Sequence, residues 1–222
     1  MSYGLMRLFA TLLVSSALLL PWPGFATVFA PGDSKVIGSA NVPGLVEADP
    51  LRPFTIDFGG GVSISGQVQD RVVKLNDGTL AFATYIRNIT GSAGSRIIGF
   101  GRSSFPDPTL EVTWDPTSLG AATPSLGERS ADGKTLSVFY DPGFSLTTPA
   151  ADGNKFVEIR TAETDFAAIG DMFINALGPN NQFGSVKLSV FAPVPEPGTF
   201  ALIMAGVLML AVWSHRRGAA KR

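Results

Sequence analysis

The sequence predicts an all-β body, a two-sheet antiparallel sandwich of jelly-roll type, lying between two apolar terminal segments. Three observations predict it. Runs rich in β-branched and aromatic residues recur from Pro53 to Phe191. Gly, Pro, Asn and Asp punctuate them at short intervals. Several runs alternate apolar and polar residues with a period of two, as a half-buried strand must.

In chain order, residues 1–26 have the make-up of a cleavable export signal. Arg7 supplies the positive start, Leu8 to Leu20 the apolar run, and Pro21-Trp22-Pro23 the break. Gly24 and Ala26 place small residues at −3 and −1, so the cut is expected after Ala26, with Ala30 the weaker choice. Thr27 to Arg52 is low in pattern and reads as a first strand plus loops. Gly59-Gly60-Gly61 precedes a β pattern instead of a helix, which excludes a phosphate loop. Val62 to Val68 alternates, with Val62, Ile64 and Val68 on one face. Leu80 to Ile89, Arg96 to Phe100, Leu110 to Trp114, Leu136 to Tyr140 and Phe156 to Thr161 follow as strands. Asp77-Gly78, Asp132-Gly133 and Asp152-Gly153 are hairpin signals, because glycine accepts a positive φ. Asn88-Ile89-Thr90 is a formal glycosylation sequon that reads as a plain turn. Thr161 to Leu177 has near-helical apolar spacing, but Gly170-Asp171 can turn a hairpin between Asp165–Ile169 and Met172–Ala176. The all-β context favours the two strands. Val186, Leu188 and Val190 alternate to give the last strand.

Composition removes whole classes of chemistry. The chain has no cysteine, so disulfides, thiolate nucleophiles and zinc–thiolate sites are excluded. Its one histidine, His215, lies near the C-terminus, so the body holds no histidine base or triad. From Thr27 to Pro193 there are 12 Lys and Arg against 17 Asp and Glu, a balance of −5. A mildly acidic body without a basic cluster is no footprint for nucleic acid. Carboxylates alone can hydrolyse glycosides. Glu47, Glu111, Glu128, Glu158 and Glu163 are available, but no spacing selects a pair, and solvated surface charge is the simpler reading. Trp114, Tyr85 and Tyr140 are candidates for a sugar-stacking platform, though such aromatics are more often core. No metal or cofactor motif is present; none of the Asp-Gly pairs sits in a calcium-loop pattern.

The C-terminus is the most specific stretch. Val194, Pro195, Glu196, Pro197, Gly198 and Thr199 form a stiff polar segment, and the two prolines fix their own φ and remove backbone donors. Ala192 to Gly198 is therefore expected to be extended and accessible. Phe200 to Trp213 is uncharged, and its 14 residues span roughly 21 Å as a helix. Arg216, Arg217, Lys221 and Arg222 follow as a basic stop held on the cytoplasmic side.

This order of parts resembles the PEP-CTERM sorting signal of Gram-negative bacteria. The resemblance covers only 194–222. It implies recognition by an exosortase, a membrane-embedded cysteine transpeptidase-like enzyme, with processing near Pro195-Glu196-Pro197. It also implies transient residence in the inner membrane, delivery to the cell surface or exterior, and association with exopolysaccharide or biofilm. The expected domains are 1–26 (signal), 27–192 (exported sandwich) and 193–222 (motif 194–199, transmembrane helix 200–213, basic tail 214–222). The leading expectation is a non-enzymatic surface or matrix protein without cofactor. A carbohydrate-binding module and a carboxylate-based polysaccharide hydrolase are the alternatives.

Overall fold

Period-two patterning and closely spaced turn residues produce strands throughout the structure, a computed structural model that describes residues 26–145 and 153–195. In order the strands are β1 (Thr27–Phe29), β2 (Ser34–Lys35), β3 (Gly38–Ser39), β4 (Gly44–Ala48), β5 (Leu51–Gly59), β6 (Val62–Leu75) and β7 (Leu80–Gly91). They continue with β8 (Arg96–Arg102), β9 (Leu110–Trp114), β10 (Leu126–Arg129), β11 (Leu136–Ser145), β12 (Val157–Arg160), β13 (Asp165–Leu177) and β14 (Phe183–Val194). Among the described residues there is no helix, and so none long and apolar enough to cross a membrane. The expected span 200–213, the basic tail and the signal segment 1–25 lie outside the described residues.

The strands form two sheets. One runs β1-β9-β12-β7-β6-β4, with β3 beside β9 and β5 beside β6; the other runs β14-β13-β8-β11-β10-β2. All pairings are antiparallel except the two-residue β3, which is parallel to β9. The inward faces meet in one core, where Phe82, Ile64, Val112 and Ile159 of the first sheet face Phe100, Leu136, Met172 and Ile174 of the second. Apolar burial of this kind, about 25 cal/mol per Å², is the main stabilising term. Strand β7 is buried on both faces from Leu80 to Ile86. Its outer side is covered by Val42, Val73 and Leu75 beside Ala81, and by Phe156 beside Ala83 and Tyr85.

Most turns follow their sequence. Gly59, Gly60 and Gly61 all take positive φ and close the β5–β6 hairpin. Asp77-Gly78 and Asp132-Gly133 close β6–β7 and β10–β11. The third signal behaves differently. Gly153 precedes β12, but β11 and β12 belong to different sheets, so this connection crosses between sheets and makes no hairpin.

Two further expectations are corrected. Thr161 to Leu177 is neither helix nor hairpin, because β13 runs unbroken from Asp165 to Leu177. Gly170 sits at a register shift between Ala167 and Gly170, not at a turn. A Cβ there would lie 2.8 Å from the Ala192 Cβ, so only glycine lets β14 approach. Gly170→Val should destabilise by ~1–3 kcal/mol through overpacking, read as a lower urea midpoint. The sequon is also no turn. Asn88 has φ 51° inside β7, where two residues oppose Gly66 between the pairs Ser65–Thr90 and Gln67–Arg87. Asparagine tolerates that left-handed conformation, and the result is a bulge.

Candidate functional site: the root of the C-terminal tail

The tail leaves from β14, the edge strand of its sheet. Ala192, Pro193 and Val194 still pair with Ala167, Phe166 and Asp165 of β13. Proline is tolerated at an edge, where its missing donor costs no ladder bond. The accessible strip therefore does not begin at Ala192. Ala192 and Pro193 are buried, Val194 is half-buried, and Pro195 is the first exposed residue. Sequence reasoning places the start of the strip three residues early, because prolines signal a break in pairing only where the strand needs their N–H.

Just inside this root lies a buried ionic junction. Asp70 of β6 and Arg102 of β8 are both fully buried and join the two sheets, Arg102 Nη2 donating to Asp70 Oδ1 at 2.9 Å. Arg102 Nη1 donates to Thr84 Oγ1 at 2.8 Å, and Nη2 also donates to the Phe191 carbonyl at 2.6 Å. Asp70 Oδ2 accepts from Arg52 Nε at 3.0 Å and from the Phe191 amide at 2.8 Å. Burial pushes the Arg102 guanidinium down, and Asp70 opposes that shift. Both backbone groups of Phe191 are thus bound by side chains from the other strands. Its ring meets Phe166 edge-on at 5.2 Å, and the Arg52 guanidinium lies 5.2 Å from its centre. Three residues further on the chain reaches Val194. Beside the exit, Pro193 and Pro195 line an apolar groove of about 210 Å³ with Phe105, Pro106 and Ile169.

Residues 193–217 match the family model described as the PEP-CTERM protein-sorting motif. The tail is a PEP-CTERM sorting tail. Such a motif implies export and membrane-linked sorting, with processing by an exosortase. Within it, Pro193 and Val194 belong to β14 and Pro195 follows the strand. Glu196, Pro197, Gly198, Thr199, Arg216 and Arg217 lie outside the described residues. No curated protein and no solved structure matches the chain. At the other end, Ala26 directly precedes β1, whose Thr27 pairs with Val112.

The other candidates are scattered. Tyr140 is in the main core, with its hydroxyl accepting from Asn154 Nδ2 at 2.8 Å. Tyr85 is buried on the opposite side of the first sheet against Phe156, ring centres 4.9 Å apart. Trp114 packs half-buried against the core. The three therefore share no face, and no stacking platform forms. Glu47, Glu111 and Glu128 are exposed and Glu163 is half-buried.

Glu158 contradicts the solvated reading. It is only 7% exposed, and its Oε2 has no hydrogen-bond partner among the described residues. Its neighbours across the sheet are Thr113 and Ala83. Arg71 is committed elsewhere, donating to Asp49 at 2.8 Å and lying 4.4 Å over the Phe156 ring. Burial first, then the Asp115 charge, push the Glu158 carboxyl up to about 8, against the pull of Arg160 and Arg71. Strand alternation points Glu158 outward, and nothing in the local pattern reveals that this outer face is covered. Among the described residues no group of three or more His, Cys, Asp or Glu is arranged to hold a metal.

Proposed function

We propose that this chain is an exported surface or matrix protein without catalytic activity, sorted by an exosortase and associated with extracellular polysaccharide. The observation that carries the reading is the PEP-CTERM match beginning at Pro193, inside the final strand of the folded body. The body is thus tethered directly to its sorting signal, which suits a domain presented at the membrane and then released or attached outside. The resemblance supplies the polysaccharide association and the transient inner-membrane stage. The non-enzymatic part is supported by composition, since the body from Thr27 to Pro193 holds no histidine or cysteine to serve as base or nucleophile.

Deleting Pro195–Pro197 should leave the chain unprocessed in the inner membrane, seen as a slower-migrating band confined to that fraction. Normal arrival of the deletion variant outside the cell would sink the sorting reading. Turnover of polysaccharide by the parent chain, lost in Glu158→Gln or Glu111→Gln, would overturn the non-enzymatic one.

A further inference from the structure

The first sheet ends in a pocket of about 290 Å³ that has no part in the tail. Four charged residues line it: Asp77 from the β6–β7 turn, Asp107 from the loop before β9, Glu111 on β9 and Arg160 on β12. The loop carrying Asp107 is held rigidly. Arg129, itself buried, donates to the carbonyls of Asp107, Pro108 (3.1 Å), Phe29 (2.9 Å) and Gly133 (2.9 Å). These bonds use the backbone of Asp107; its carboxyl accepts the Ala162 amide and has one oxygen to spare. Asp107 is only 8% exposed, yet its Oδ2 has no hydrogen-bond partner among the described residues. A buried acceptor left in that state is unfavourable, and a ligand donor would satisfy it.

The remaining chemistry narrows the ligand. Among the described residues Arg160 is the one cation lining the pocket, and it already pairs with Glu111 at 3.4 Å. Asp77 Oδ1 accepts from the Thr79 amide and hydroxyl, which hold its carboxyl below the usual range. Burial raises Asp107, opposed by the Ala162 amide and the Arg129 charge. The lining therefore carries an excess of negative charge, which repels anions and attracts a cation. Thr79, Thr109 and Thr161 add hydroxyls, while Leu75 and Pro108 offer apolar surface to C–H groups. The volume lies at the small end for ligand sites, about right for one sugar-sized ring.

We infer that this pocket binds a single hydroxylated ring carrying a protonated amine, an amino-sugar unit, with the ammonium on Asp107 and hydroxyls on the flanking carboxylate and threonines. The inference rests on the pocket alone and stands independently of the sorting reading.

The test uses the full chain in detergent at pH 6, titrated by calorimetry with glucosamine oligomers, neutral cello-oligosaccharides and oligogalacturonates. Glucosamine oligomers should bind at least tenfold more tightly than the neutral series, and galacturonates should not bind. Asp107→Asn should weaken the amine-bearing probe at least tenfold. Glu111→Gln, at an exposed position that leaves folding intact, should weaken it several-fold. Equal affinity for charged and neutral probes would overturn the proposal, as would no binding, or binding indifferent to both variants. Both variants should be exported and processed like the parent, so failure here leaves the sorting reading untouched.

Discussion

Asp70→Asn should destabilise the fold by ~3–5 kcal/mol, lowering the thermal midpoint by about 10 °C or more. The carboxylate is fully buried and serves three donors: Arg102 Nη2, Arg52 Nε and the Phe191 amide. Asparagine has nearly the same shape but offers one acceptor and no charge. Arg102 then remains fully buried as a cation without its counter-ion, which is the costly way to break a buried pair. The double replacement Asp70→Leu with Arg102→Met should recover part of the loss, since removing both charges removes the desolvation penalty. Recovery stays incomplete because the Phe191 amide and carbonyl lose their partners. Urea midpoints of the parent, Asp70→Leu, Arg102→Met and the double give the coupling. A single-variant cost under ~1 kcal/mol would mean that the junction is worth no more than a surface pair. The junction also decides how far the tail can peel. With Phe191 released, protease sensitivity should extend from Pro195 back into Ala192–Val194, the stretch of β14 beyond the bulge.

Glu158→Gln should act in the opposite direction, stabilising the protein increasingly as pH rises. The folded carboxyl titrates at about 8 against an ordinary value of 4.5. Between those values the folded state keeps a proton that the unfolded state has lost, so folding stability falls as pH rises through this window and levels off above it. At about 1.4 kcal/mol per unit, the accumulated loss is on the order of 5 kcal/mol by pH 9. Glutamine does not ionise, so the variant should match the parent near pH 4.5 and lead it by a few kcal/mol at pH 9. Asp115 opposes ionisation from the neighbouring strand end, while Arg160 and Arg71 favour it. Urea midpoints of both proteins at pH 5, 7 and 9 decide the matter. Parallel pH curves would show that the Glu158 carboxyl is solvated after all.

The strand runs and two of the three Asp-Gly turns were legible because they depend on interactions between near neighbours. A period of two, a positive φ at glycine and a tight hairpin are decided within a few residues. The sorting motif was legible for a related reason. It is a linear signal whose stiff prolines, apolar run and arginines act in order along the chain, with no fold required to assemble them.

What tertiary structure alone decided are the places where distant strands meet. Gly170-Asp171 can turn a hairpin by its sequence, but β14 packing against β13 makes Gly170 part of a bulge, because Ala192 comes too close for any Cβ. Glu158 reads as solvated by its sequence, but Phe156 and Arg71 cover that face. Asp70, Arg102 and Phe191 lie far apart in sequence, and their junction exists only once both sheets are docked. The pocket around Asp107 is likewise assembled from three separate segments. By itself the sequence determined the β class and the sorting tail, whose physics is local. Burial of charge, and the residue at which the folded body ends and the tail begins, depend on which strand lies beside which, and no local pattern encodes that.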